Sequence, residues 1–370
     1  MFLFKRLLTV PKLSFIVLLS VSWICYSRPL VVLPLNDPNC AWMEQLIERD
    51  FGQLEKITRE DLIHAANFLR NNGSIIHLKV VGNQVYGPEG AGANMLRFLC
   101  QYYMLPDLEL FYFQMDGINQ APPGKIPVFT GARTKGIRNT ILFVDWYFQN
   151  PPWIQWDEAL DRIDAQLAIT PWSSRYSKML WRGALTDLDH GGKYTIDNWS
   201  LHPRGKACWL SARYPDLIDA AVYGDSFSFQ EPSGWFISGH GDALRKVIPI
   251  TNWIPIEPQL NYKYQLMIDG LSAPFSRDWQ YYSNSLIFRV EGTLYETWWY
   301  SLLQPWEHYI PVATDLSDLI EKIQWFRDHD ERAREIACNA RNLIATHIMP
   351  EHIALYCYKV LLRYASLFNE

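Results

Sequence analysis

Residues 264–268, Tyr264-Gln265-Leu266-Met267-Ile268, form a short apolar run that stops at Asp269-Gly270 and a string of small residues. A helix-compatible stretch opens at Arg277, and a second apolar run follows at 285–290. Strand, small-residue turn, helix and strand together spell a βαβ unit, which commits the chain to an open, layered α/β sheet. Such sheets hold ligands beyond the carboxyl ends of their strands, where a helix start offers backbone N–H groups to anions. Arg277 would add a fork of donors there, and Met179-Leu180-Trp181-Arg182-Gly183 repeats the design upstream as an apolar run ending at Arg-Gly. Two Arg-bearing strand ends suggest a diphosphate.

The same alternation runs along most of the chain. Stretches 41–51, 60–69 and 93–103 read as helices, and 75–81, 108–114 and 140–144 as strands, with a loop rich in Pro and Gly at 117–136. After Pro151-Pro152 and a helix at 156–167, Pro171-Trp172 marks a boundary. The second half repeats the pattern with strands at 179–181, 217–222, 264–268 and 286–290, helices at 206–213 and after Arg277, and closing helices at 317–327, 331–345 and 351–368. A chain of 370 residues exceeds a usual domain of roughly 100–200. The expected division is a leader at 1–35, a first α/β domain at 36–172, and a second, nucleotide-binding domain at 173–370.

Composition narrows the function classes. Apolar residues make 49% of the chain and charged ones 20%, so a large core is available and disorder is disfavoured. A net charge of −5 and the lack of a basic run argue against a nucleic-acid partner. Aromatics reach 15%, enough to line a sugar pocket as well as fill a core, although core packing explains most single Trp residues. Six scattered cysteines without a Cys-x-x-Cys pair argue against a disulfide framework or a zinc site. Lys5, Arg6 and Lys12 precede an apolar run at 13–26, compatible with a signal peptide cut after Ser27 or with an uncleaved anchor. Trp23 and Tyr26 suit a membrane interface, so a single amino-terminal anchor is the favoured expectation, with secretion after cleavage as the alternative.

Several runs resemble glycosyltransferase family 90, which holds Rumi-type protein O-glucosyltransferases, capsule-associated xylosyltransferases and lipopolysaccharide-modifying proteins. They are Trp181-Arg182-Gly183, Lys263-Tyr264 through Ser276-Arg277, Ser285-Leu286-Ile287-Phe288, and Pro305-Trp306-Glu307-His308-Tyr309-Ile310-Pro311-Val312 followed by Asp315-Leu316-Ser317-Asp318-Leu319. The resemblance covers about 95–365 in the family's motif order. It implies a GT-B fold, two Rossmann-like domains facing a cleft with closing C-terminal helices. It also implies a UDP-sugar co-substrate carrying glucose or xylose, inversion at the anomeric carbon, no metal or other cofactor, and a glycan or protein acceptor, among which the sparse cysteines favour an envelope glycan such as lipopolysaccharide.

Carried over residue by residue, the resemblance nominates Asp116 as general base, because Leu105-Pro106-Asp107 introduces the strand that ends there. An inverting transfer needs one carboxylate to take the acceptor's proton, whereas the bland reading of Asp116-Gly117 is a turn. Arg277, with Ser276, matches the diphosphate-binding position, and Arg204 in Pro203-Arg204-Gly205 matches a second. Arg182-Gly183 matches the family's Arg-Gly, but Ala184 and Leu185 depart from the hydroxyl residue and Arg that follow in animal members. Pro127-Val128-Phe129 is expected beside the donor sugar, and Trp146 and Trp153 on the donor-side loop. His308 is either a packed structural group or a ligand contact. Asp187-Leu188-Asp189 has the Asp-x-Asp form of metal-binding glycosyltransferases, but the structural reading is preferred. Two other classes stay open: a membrane-tethered carbohydrate-binding protein that keeps the fold without the reaction, and a glycoside hydrolase, which needs two opposed carboxylates.

Overall fold

The computed structural model describes residues 30–69, 73–144, 154–187, 193–224, 241–292 and 295–368. The leader up to residue 29, Trp146, Trp153, Leu188 and Asp189 lie outside the described residues. Among the described residues no helix is long and apolar enough to cross a membrane.

In the first half, α1 (Trp42–Phe51) and α2 (Arg59–Leu69) precede β1 (Ile75–Val81) and β2 (Gln84–Tyr86). The turn between the strands is only Gly82-Asn83, with φ of 55° and 62°; Gly and Asn are the residues that take this geometry with least strain. Then come α3 (Ala91–Tyr102), β3 (Leu108–Phe113), β4 (Val128–Thr130), β5 (Arg133–Thr134), β6 (Thr140–Leu142) and α4 (Ile154–Ile169). The sheet order is β2-β1-β3-β4-β6, parallel from β3 to β6 but antiparallel on both sides of β1. Burial explains the difference from a wholly Rossmann-like sheet. Along β1 side chains alternate between buried and partly exposed, as suits a strand with one wet face, whereas β4 and β6 are buried throughout.

The second half contains β7 (Tyr176–Gly183), α5 (Pro203–Arg213), β8 (Ile218–Tyr223), α6 (Gly241–Val247), β9 (Ile250–Thr251), α7 (Ile256–Gln259), β10 (Tyr262–Met267), α8 (Arg277–Tyr282), β11 (Leu286–Val290), β12 (Tyr295–Glu296) and β13 (Ile310–Val312). Its six-stranded sheet is parallel at every pairing, in the order β13-β11-β10-β7-β8-β9. Counted along the chain from β7, that is the doubly wound order 3-2-1-4-5-6 read from its far edge, and it reverses between β7 and β10. A crevice must open there, because the connections leaving the two strands run to opposite faces.

Three helices close the chain: α9 (Leu319–Asp328), α10 (Asp330–His347) and α11 (Pro350–Ala365). The last returns to the first half, where Tyr356 and Tyr364 donate to the carbonyls of Leu142 and Glu109, each at 2.9 Å. Both tyrosines are fully buried, and burial of such rings stabilises by roughly 1.5–3 kcal/mol each. A second tie is the antiparallel pair β5 and β12, where Arg133 bonds Glu296 at 2.7 Å and the buried Asp50 at 2.8 Å. Two α/β halves thus face each other in the GT-B arrangement, tied by a helix and a strand pair.

Candidate active site

A cavity of about 730 Å³ opens at the strand-order reversal, within the usual range for small-molecule sites. Gly183 at the end of β7 with Ala184 and Thr186 after it, and Gly270 to Ser276 after β10, form one wall. Arg204 stands at the start of α5, Glu158 and Arg162 come from α4, Tyr223 and Trp253 from the β8 and β9 ends, and Asp116 from the first half.

Arg204 organises this wall. Its Nη1 donates to Ala184 O and Thr186 Oγ1, both at 2.7 Å, its Nη2 to Ile268 O at 2.9 Å, and its Nε to Asp269 O at 3.2 Å. One guanidinium therefore staples the carboxyl ends of β7 and β10 together while lining the cavity. Asp187 supports it from behind: one carboxylate oxygen accepts the Arg204 backbone N–H at 2.9 Å and the other accepts the Tyr194 hydroxyl. Asp187 is thereby spent on capping α5, which gives a structural reading to the first Asp of the Asp-x-Asp triplet. Among the described residues no three His, Cys, Asp or Glu side chains are grouped to hold a metal.

The helix start also requires glycines. A Cβ on Gly205 would lie 1.7 Å from the Trp199 carbonyl oxygen, and one on Gly270 would lie 2.6 Å from Arg204 Nη2. Only a bare backbone lets the β10 loop approach the guanidinium this closely. The α5 N-terminus is already capped by the Asp187 carboxylate, so the positive charge that this wall presents to the cavity is the Arg204 guanidinium.

Arg182 reaches the cavity too, but its Nη1 donates to Trp181 O and Asp219 O, and its Nη2 to Asp219 Oδ1 at 2.8 Å. Gly183 packs against the Trp181 ring, where a Cβ would come within 2.8 Å. Ser276 lines the cavity and donates to Gln280 Oε1 at 2.9 Å. Arg277 lies elsewhere. All six residues of α8 are buried, and the helix carries Arg277 beneath the wall, where its Nη1 holds the carbonyl of Pro274 at 2.8 Å. It braces the loop that forms the wall and is not part of the lining.

Asp116 faces the cavity from the opposite side. Its segment is pinned at Gln114 N to Ser74 O (2.9 Å) and at Ile118 N to Ala132 O (3.0 Å), beside the β5 and β12 tie. Asp116 is exposed to the cleft, and the partial desolvation there raises its pKa above the ordinary carboxylate value.

Two expected neighbours are absent from the lining. Val128 and Phe129 are fully buried in the first half's core, with Phe129 edge-on to Phe143 and Tyr364, and do not line this cavity. His308 accepts the Gln304 N–H at its Nδ1 (3.0 Å) inside the Gln304 to Tyr309 turn, and burial lowers its pKa, as befits a neutral structural imidazole. Conversely, Arg162, Tyr223 and Trp253 border the cavity without any motif having marked them. Their positions depend on which loops converge, which only the strand order reveals.

Among characterised proteins, the chain is similar to protein O-glucosyltransferase 2 of Danio rerio, 28% identical over 306 residues, covering 80% of this chain and 56% of that protein. It is 26% identical to protein O-glucosyltransferase 3 of Homo sapiens, covering 89% of this chain and 62% of the other. To O-glucosyltransferase rumi of Drosophila melanogaster it is 27% identical, with 90% and 79% covered. The chain thus spans less than two thirds of the length of the first two relatives. Among solved structures, Anabaena HepE in complex with UDP-glucose aligns with a TM-score of 0.38 at 8% identity, covering 66% of this chain and 64% of that one. The sequence profile of glycosyl transferase family 90 matches residues 36–370, and the chain belongs to that family.

Proposed function

We propose that this protein is an inverting, metal-independent glycosyltransferase that moves glucose from UDP-glucose to a hydroxyl of a protein. The observation that carries the reading is the pairing, across one cavity, of the Arg204-bearing wall of the second half with a carboxylate, Asp116, from the first half. In the reaction, the acceptor oxygen bonds to the sugar's C1 as the C1–O bond to the diphosphate breaks. Asp116 takes the acceptor's proton, and UDP leaves with the electron pair. Arg204, fixed at the cavity wall, stabilises the departing anion without a metal. Glu158, a second carboxylate on the lining, sits 3.9 Å from Arg162 and is assigned no proton transfer.

The choice of glucose and of a protein acceptor rests on the relatives, which are named protein O-glucosyltransferases, and speaks against lipopolysaccharide as first choice. An amino-terminal anchor in a secretory membrane fits such an acceptor.

Incubating the full chain with UDP-glucose, UDP-xylose or UDP-galactose, with and without folded secreted domains, tests the reading by UDP release. UDP-glucose is expected to be consumed fastest, with hexose mass added to a protein. UDP binding without release from any donor would instead favour a carbohydrate-binding protein on the same fold. Chelation with EDTA is expected to leave the rate unchanged; a loss restored by a divalent cation would overturn metal independence.

A further inference from the structure

Ser272 sits on the loop after β10, in the nucleotide half, yet its Oγ donates to the backbone carbonyl of Asp116 at 2.7 Å. The residue is buried, at 7% exposure. Gly117, next along the chain, lies so close that a Cβ there would stand 2.8 Å from Ser272 Oγ and 3.2 Å from Ala132 O. On its other side, Ser272 accepts the Gly270 N–H at 2.9 Å, closing the turn that brings Gly270 against Thr186 and Arg204. A continuous line of contacts therefore runs from the Arg204 staple through Gly270 and Ser272 to the segment bearing Asp116.

We propose that Ser272 is a positioning residue, fixing the Asp116 carboxylate in register with the donor wall across the cleft. The proposal rests on the reading of Asp116 as base. Its physical content is that Gln114 and Ile118 anchor the segment to its own half only, whereas attack on C1 requires a register between halves. A hydrogen bond to the main-chain carbonyl sets that register while leaving the carboxylate oxygens for the acceptor. Misplacing a reacting group by about 1 Å can cost on the order of 10²-fold in rate.

The test is a kinetic comparison of the full chain with its Ser272→Ala, Ser272→Thr and Gly117→Ala variants and the Ser272→Ala/Gly117→Ala pair. UDP release from UDP-glucose gives kcat and KM, and calorimetry gives UDP affinity. Ser272→Ala is expected to lower kcat roughly 10- to 100-fold with KM and UDP affinity unchanged, and Ser272→Thr, which keeps the hydroxyl, to recover most of it. Gly117→Ala should lose rate by pushing on the hydroxyl, and the pair should lose less than the product of the two single losses. An unchanged kcat in Ser272→Ala, a parallel fall in UDP affinity, or multiplicative losses would overturn the proposal. Asp116→Asn run alongside separates the two ideas. If that variant turns over normally, the base assignment fails; if it is dead while Ser272→Ala is normal, only the positioning role fails.

Discussion

Asp116→Asn is expected to lower turnover by roughly 10²- to 10⁴-fold while UDP binds as in the parent. The substitution is isosteric and keeps the main-chain carbonyl that accepts from Ser272, so neither the fold nor the clasp at 2.7 Å is disturbed. What disappears is the carboxylate proposed to take the acceptor's proton. UDP affinity should persist because the anion wall, Arg204 with the starts of the β7 and β10 loops, belongs to the other half. Turnover close to the parent's would remove Asp116 from the mechanism.

The same residue sets a pH signature. Partial desolvation disfavours the charged carboxylate and raises its pKa, so at a given acidic pH less of the protein holds the base in its working form. Turnover should therefore rise with pH, and the midpoint of this acid limb should lie above the ~3.9 of an unperturbed Asp. The residual rate of Asp116→Asn should lack that limb. A limb retained in the variant would assign it to another group.

The parallel sheet of the second half was legible because β10 and β11 are buried on both faces and so read as mainly apolar runs, interrupted only by Lys263, Gln265 and Arg289. β7 was legible only in its middle: Tyr176 to Lys178 are exposed or partly exposed, and the strand therefore extends well beyond its apolar stretch. The hairpin of β1 and β2 carried its signal openly in Gly82-Asn83, but β2 is three residues long and too short for periodicity to register. Strands β9 and β12, with two residues each, depend wholly on their partners. At the site, motif order brought Arg182, Gly183, Arg204, Ser276 and Asp116 to one cavity. It did not place Arg277, since a motif says which residue follows a loop and not that the helix bearing it is engulfed. Ser272 and Asp116 are separated by 156 positions, a contact that no local pattern encodes.

Arg204→Ala is expected to cost both stability and the nucleotide. Its guanidinium serves the carbonyls of Ala184, Ile268 and Asp269 and the Thr186 hydroxyl, bridging the loops that leave two paired strands just beyond the last ladder contact, Gln265 to Leu180. Alanine would leave those acceptors without their donor in a site too enclosed for free hydration, and would also strip the cation from the face of Trp181, 5.9 Å away. Bonds to a charged donor contribute about 1.5–3 kcal/mol each but do not add, so a total loss of roughly 3–5 kcal/mol is expected, read from the denaturant midpoint. UDP affinity should fall with it, because separating the ends of β7 and β10 removes the wall's shape as well as a charge. Arg204→Lys should recover little, since one ammonium cannot reproduce a planar fork aimed at four acceptors. A loss below about 0.5 kcal/mol, the range of ordinary surface substitutions, would contradict the staple. Full stability loss with UDP affinity intact would confine Arg204 to the fold.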